Sequence, residues 1–257
     1  MKHERVRRWY ENLNANSILT GKVWLRILGY YCELENTAPD ILLQEMKKDD
    51  FRDKFADFVR KLEKEGKAGT YIKRFKNVLR SFAKFNGITM KLSINIAGDR
   101  QNLTIENERV PSKEELSRLL RKATSRGKVA VSLMAYSGLR PESLSNYQGT
   151  DGLRSGDLKE LNVDTFEFER IPCMVSVKSL LSKARHKYFS FLGEEDIISV
   201  KEYLEERRKK GEILTEESAL LQFEFGKVRH KSYLRTTLIT RDIKDAIEKA
   251  GLIHGGE

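Results

Sequence analysis

One arginine of the sequence stands between a tight turn and the start of a helix. It is Arg140 in the run Ser137-Gly138-Leu139-Arg140-Pro141, where the glycine permits the turn and the proline fits the first helical position. A guanidinium group beside free backbone N–H groups and the positive end of a helix is a good seat for a phosphate. Arginines beside turns are also common on protein surfaces, so this motif alone leaves a structural role open.

A second group of cations follows one face of a predicted helix. This helix begins after Gly69, with Thr70 as its N-cap, and ends at Gly87. Its apolar stripe consists of Phe75, Val78, Leu79, Phe82 and Phe85. Spacings of three and four residues place four cations in one row on another face, namely Lys73, Lys76, Arg80 and Lys84. The row could follow a phosphate backbone, and the alternative is a solvated basic face.

The composition fits a polyanionic partner. The 257 residues carry a formal charge of +10 and the pI is 9.4, which favours nucleic acid because bound cations release condensed counterions from it. Dense Lys and Glu also occur in proteins from hot or saline habitats, so charge alone does not decide. Cys32 and Cys173 lack metal-site spacing and are expected to be reduced core thiols. No run approaches the roughly 20 apolar residues of a membrane span, so we expect an intracellular protein. Its charge is consistent with association with DNA.

The elements that must position these side chains form two predicted domains. Residues 1–88 repeat apolar positions at helical spacing and predict a small helical domain. Residues 89–110 lack such a pattern and predict a linker. A second domain, 111–257, begins at a capping-box pattern with Ser112 and Glu115. Its predicted elements are a buried helix over 129–137, a hairpin with strands 173–180 and 188–192, a helix over 193–210 and a final helix over 240–251. The predicted fold class is therefore mainly α with a small β-hairpin, an α+β fold.

The run Ser137-Gly138-Leu139-Arg140 resembles the first catalytic-arginine motif of tyrosine recombinases. In that family the motif is commonly followed, after two residues, by Glu, and here Ser143 takes that place. Segment 145–156 is longer and more polar than in bacterial members and is more similar to integrases of archaeal viruses and plasmids. The resemblance extends from about residue 8 to residue 253 in the order of its elements. Domain 1–88 resembles the family's core-binding domain, and 111–257 resembles the amino-terminal part of its catalytic domain.

The resemblance assigns further residues. Counting back from Leu192 selects Lys183 as the family's hairpin lysine, while Lys178 and Lys187 remain alternatives. The expected DNA-contacting cations are Lys73, Arg74, Lys76, Arg80, Lys84, Arg185 and Lys187.

The family cuts and rejoins double-stranded DNA at specific sites through a covalent phosphotyrosine, without metal or other cofactor. The resemblance implies that Arg140 clamps the phosphate and that Lys183 is the general acid for the leaving oxygen. The second arginine motif and the nucleophilic tyrosine have no matching positions, and the likeness of His230 to Arg235 to that motif is interpreted as accidental. We therefore expect a fragment that binds duplex DNA without cleaving it, monomeric in solution, from a recombinase that forms homo-oligomers on DNA.

Two alternatives remain. The first is a non-catalytic DNA-binding or regulatory protein with integrase architecture. The second is a helical RNA-binding or interaction module that carries the arginine motif by chance.

Overall fold

The computed structural model describes residues 3–90, 92–100, 110–223 and 233–252. They divide into two compact units, one within Met1–Arg109 and one within Val110–Glu257. No helix within these described ranges is both long enough and apolar enough to cross a membrane.

The first unit is helical. Ser17 caps its second helix by accepting a hydrogen bond from the Thr20 backbone N–H, and Pro39 occupies the first turn of the third. The helices are α1 Glu4–Asn16, α2 Ile18–Leu34, α3 Pro39–Glu45, α4 Phe51–Lys64 and α5 Gly69–Phe85. Thr70 was predicted as the N-cap of α5, and this prediction is wrong. The helix begins at Gly69, so Ala68 is its N-cap and Thr70 lies in its first turn.

Aromatic side chains fill the core of this unit. Trp9 is fully buried and meets Phe82 edge to face, with ring centroids 5.2 Å apart. The predicted stripe of α5 is buried as far as Phe82, whereas Phe85 is 40% exposed. Helix α5 is thus fixed by its apolar face and leaves the cationic face on the surface.

Part of the predicted linker packs on the first unit. Leu92, Ile94 and Ile96 are buried in the core of that unit, although residues 92–96 form neither helix nor strand. We call residues 92–99 the strap. At its end the backbone passes so close to Gly69 that a Cβ there would lie 2.0 Å from the Ala97 carbonyl oxygen. Residues 101–109 of the predicted linker lie outside the described residues.

The second unit combines helices with the two-stranded hairpin. The predicted capping box is confirmed, since the Ser112 hydroxyl and the Glu115 carboxylate each accept the other residue's backbone N–H. The elements are α6 Lys113–Lys122, α7 Ser125–Ala135, α8 Pro141–Leu144, β1 Cys173–Val177, β2 Tyr188–Leu192, α9 Glu194–Lys209 and α10 Thr236–Lys249. The mainly helical α+β fold class is confirmed.

The hairpin register places one face in the core. The antiparallel pairs run from Cys173 with Leu192 to Val177 with Tyr188. Strand β1 ends three residues earlier than predicted, because a short 3-10 turn forms over Ser179–Leu181. The loop between the strands therefore spans residues 178–187 and contains the hairpin cations that the sequence singled out.

Candidate functional site

The turn that carries Arg140 is built as the sequence predicts. Helix α7 ends at Ala135, Gly138 has φ of +66°, and the Leu139 N–H reaches back to the Leu133 carbonyl at 3.1 Å. Glycine tolerates this left-handed conformation without steric cost. Arg140 then adopts extended backbone as the N-cap of α8. Because α8 has only four residues, its dipole is weak, and the guanidinium group is the main positive charge that the turn presents.

The guanidinium of Arg140 is exposed, and it makes no hydrogen bond or ion pair with any other described residue. Other arginines of the unit are used structurally. Arg207 is 6% exposed and donates to Glu212 and to the Ala219 carbonyl. Arg126 binds Asp242 with N–O distances of 2.7 and 2.8 Å. Unlike these two arginines, Arg140 has a guanidinium group that no described residue binds.

Hydrogen bonds fix the Arg140 turn to the end of strand β2. The Ser190 hydroxyl donates to the Ser137 carbonyl at 2.6 Å. The Ser137 hydroxyl lies 2.8 Å from the Phe191 carbonyl oxygen and 2.7 Å from Oδ2 of Asp196, a fully buried carboxyl group on α9. Burial raises the pKa of Asp196. The sequence analysis missed this residue, because an acidic residue at the start of a helix ordinarily indicates only a cap.

Helix α8 contacts the base of the hairpin loop. The buried Ser143 hydroxyl lies 2.8 Å from the Tyr188 hydroxyl and 3.4 Å from the Leu181 carbonyl. Ser143 is the residue that stands where the recombinases commonly have Glu. Here it joins the helix that follows Arg140 to the hairpin.

The hairpin cations differ in what they already contact. The Lys178 ammonium lies 3.8 Å from Asp151 and 3.9 Å from Asp157. Lys183 is exposed and forms no ion pair with a described residue. Arg185 has φ of +59° and donates to the Leu180 carbonyl at 3.3 Å, and Lys187 is exposed. The loop thus presents Lys183 with no competing carboxylate from the described residues.

The cationic row of α5 is partly occupied by the strap. Lys73 binds the side chain of Asp99 at 3.1 Å, and Lys76 donates to the Ile94 carbonyl at 3.0 Å. Arg74, Arg80 and Lys84 are exposed. Sequence spacing identified the face but could not show that two of its ammonium groups hold the chain that follows.

The run from His230 to Arg235, which superficially resembles the second arginine motif, is described only from Tyr233 onward. Tyr233 is buried, and its hydroxyl accepts a hydrogen bond from Arg154 at 2.9 Å. His230, the start of the His230 to Arg235 run, lies outside the described residues. The described residues hold no cluster of three or more His, Cys, Asp or Glu side chains that could bind a metal ion.

Comparisons with known proteins give a distant likeness to solved structures and no match of another kind. No protein-family model matches the chain, and no curated protein matches it. Among solved structures, "Crystal structure of XerA recombinase" matches with a TM-score of 0.39 and 18% sequence identity. The match covers 97% of this chain and 77% of the XerA chain.

Proposed function

We propose that this chain binds duplex DNA and holds one backbone phosphate at Arg140, as part of a site-specific recombinase of the tyrosine class. One observation carries the proposal: the turn of Arg140 is tied to strand β2, while its guanidinium is exposed and without an ion pair among the described residues. An arginine on a fixed turn whose guanidinium N–H groups are free is suited to a phosphate, since two of these N–H groups can bind two phosphate oxygens.

The hairpin supports the same assignment. Ser143 of α8 contacts the Leu181 carbonyl in the loop and the Tyr188 hydroxyl at the start of β2, so the loop cations belong to the same part of the unit as Arg140. We propose Lys183 as the proton donor to the leaving oxygen, since its ammonium group is exposed and no carboxylate of the described residues pairs with it. Lys178 is the alternative, although two carboxylates already face it.

In the first unit, we propose that the exposed cations Arg74, Arg80 and Lys84 contact the DNA backbone, with Lys73 and Lys76 contributing charge while they hold the strap. Arg185 and Lys187 are proposed contacts from the second unit. The long polar segment 145–156 is the feature that favours integrases of archaeal viruses and plasmids as the nearest branch.

For residues 1–257 we propose DNA binding and phosphate contact rather than cleavage by these residues alone, because the family's second arginine motif and tyrosine have no matching positions in them. A DNA-binding regulator without strand transfer is the second candidate. Ser143 favours it, since this residue replaces the usual Glu and binds the hairpin. Covalent capture on a nicked duplex by the longest product of the encoding gene separates the two. Neither candidate forms a protein-DNA bond through residues 1–257 alone, and only a strand transferase forms one at all.

The proposal is tested by fluorescence anisotropy with a labelled duplex, using single-stranded DNA and structured RNA as competitors. We expect the duplex to be preferred and Arg140→Ala to weaken binding by about 1.5–3 kcal/mol, the range of a charged hydrogen-bonded contact. Arg118→Ala is the matched control, since it removes the same charge from an exposed position on α6. Preference for structured RNA, or equal losses in both variants, would contradict the proposal.

A further inference from the structure

A buried carboxyl group lies beneath the turn that carries Arg140. Asp196 is the third residue of α9, and its side chain is 0% exposed. Its Oδ2 accepts the Gly193 backbone N–H at 3.1 Å and lies 2.7 Å from the Ser137 hydroxyl oxygen. The carboxyl group therefore connects the start of α9 with the turn of the Arg140 motif.

If Asp196 is ionised, the Ser137 hydroxyl has too few hydrogen atoms for its two short contacts. The Ser137 hydroxyl oxygen is also 2.8 Å from the Phe191 carbonyl oxygen, which can only accept. A serine hydroxyl has one hydrogen, so it can donate to one of these two neighbours. With an ionised carboxylate the other contact would bring two acceptors together without a proton. A proton on Oδ2 resolves both contacts, because Asp196 then donates to Ser137 and Ser137 donates to Phe191.

The surroundings of Asp196 also disfavour a negative charge. Its Oδ1 is buried and has no hydrogen-bond partner among the described residues, which is costly for an ionised oxygen. The groups that face the carboxyl are Glu195 and the Gly193 N–H at the start of α9, and Ser132, Tyr136 and Ser137 from the α7 side. Burial is the largest influence and raises the pKa of Asp196, and the negative charge of Glu195 adds to this effect. The hydroxyls of Ser137 and Ser132 and the Gly193 N–H act in the opposite direction, and the net direction is upward.

We propose that Asp196 is a positioning residue that keeps its proton at neutral pH and thereby locks the Arg140 turn onto strand β2. Together with the bond from the Ser190 hydroxyl to the Ser137 carbonyl, the proton ties the turn at two atoms of one residue. Ionisation would force Ser137 away from either Phe191 or Asp196. That the displaced turn then weakens phosphate binding rests on the proposed function; the proton itself does not.

The proton has a defined effect on stability. A carboxyl group whose pKa is higher in the folded than in the unfolded chain favours folding most below the unfolded value. Stability is then lost as the pH rises toward the folded pKa. Each unit of raised pKa corresponds to about a tenfold change in the unfolding equilibrium constant. Asp196→Asn keeps a donor for Ser137 and cannot ionise. The advantage of wild type over this variant should therefore shrink as the pH rises from acid to neutral.

Infrared spectroscopy detects the proton on the Asp196 carboxyl, and this measurement needs no DNA. We expect a carboxylic-acid carbonyl band at neutral pH that Asp196→Asn removes and alkaline titration abolishes. Glu35→Gln is the control, since burial also raises the pKa of Glu35. Ser137→Ala should shift the band by removing its hydrogen-bond partner, which keeps the test valid if the Asn variant fails to fold. A wild-type spectrum without this band overturns the inference.

Duplex binding then tests the coupling to Arg140. Raising the pH should weaken binding by wild type more than by Asp196→Asn, and the difference should vanish when both chains carry Arg140→Ala. Parallel pH profiles of wild type and Asp196→Asn would overturn the positioning role. A chain that shows the infrared band but binds no duplex would refute the proposed function while supporting the proton. A chain that binds duplex but lacks the band would support the proposed function and refute the proton on Asp196.

Discussion

The cations of the hairpin loop differ in whether a carboxylate already faces them. Lys178 has two carboxylates within 4 Å, whereas Lys183 forms no ion pair with a described residue. A lysine that binds DNA must give up its carboxylate contacts, so part of its binding energy is offset.

We accordingly expect Lys183→Ala to reduce duplex affinity more than Lys178→Ala, with losses of about 1 kcal/mol and about 0.5 kcal/mol. Anisotropy titrations at one salt concentration measure both. Glu142→Gln, an exposed change beside Arg140 that removes a negative charge, is expected to leave affinity unchanged or raise it. A larger loss for Lys178→Ala would assign the hairpin role to Lys178 instead.

Ser143 contributes to stability through the hairpin. Its hydroxyl is buried, and removing it leaves the Tyr188 hydroxyl without this partner. Ser143→Ala should lower the free energy of unfolding by about 1 kcal/mol. Urea titrations of Ser143→Ala, Tyr188→Phe and the double variant give the coupling between the two hydroxyls. Additive losses would show that the hydroxyls do not interact.

The backbone conformation of the Arg140 turn could be predicted from the local sequence. Gly138, Arg140 and Pro141 are consecutive, and their turn is set by their own backbone preferences. Asp196 is separated from Ser137 by 59 residues, so their contact depends on how α9 packs against the turn. No local pattern of the sequence records that contact.

Among the elements, helix α5 and the strap are joined by a close backbone approach. A Cβ at Gly69 would lie 2.0 Å from the Ala97 carbonyl oxygen and 2.5 Å from the carbonyl carbon of Gly98, and both are backbone atoms that cannot rotate away. Gly69→Ala should therefore cost about 2 kcal/mol of unfolding free energy.

Gly29→Ala is the matched control for Gly69→Ala. Gly29 lies within α2, where an added Cβ meets no atom within 4 Å, and alanine favours a helix over glycine. This change should stabilise the protein by up to about 1 kcal/mol. Thermal or urea unfolding compares the two variants. Equal effects would mean that the strap does not press on α5.

A partly buried ion pair connects helices α7 and α10. Side chains of Arg126 and Asp242 are 19% and 11% exposed, and Arg126 also reaches the Gln222 carbonyl. Arg126→Ala leaves Asp242 without its partner and should cost about 2 kcal/mol.

The exposed pair of Lys128 and Glu202, 3.2 Å apart, is the control for this ion pair. Lys128→Ala should cost less than about 0.5 kcal/mol, because solvent screens exposed pairs. Urea unfolding measures both variants. A similar loss of unfolding free energy in Lys128→Ala and Arg126→Ala would show that burial does not strengthen the Arg126 pair.

The limits of sequence reasoning are clearest at element ends. The hairpin and the helices of both units follow from apolar periodicity, but α8 is a single turn and β1 stops at Val177. Both ends depend on contacts with distant residues, such as Ser143 with Tyr188. The strap packs apolar side chains without regular structure, so periodicity could not assign it to the first unit.

For the whole molecule, the net charge of +10 acts together with the placement of its cations. Charge of this sign draws any polyanion, and the number of phosphates neutralised sets how steeply affinity falls with salt. Composition favours a polyanionic partner but does not decide it. It did not predict that carboxylate and carbonyl groups of the strap engage two of the cations on α5.

The most direct test of the central claim is the salt dependence of duplex binding by wild type, Arg140→Ala and Arg118→Ala. A plot of log affinity against log salt has a slope of about −0.9 for each phosphate contacted. If Arg140 holds a backbone phosphate, its removal lowers the magnitude of the slope by about 1, and Arg118→Ala leaves it unchanged. An Arg140→Ala slope equal to that of wild type, or the absence of duplex binding by the wild-type chain, would contradict the claim.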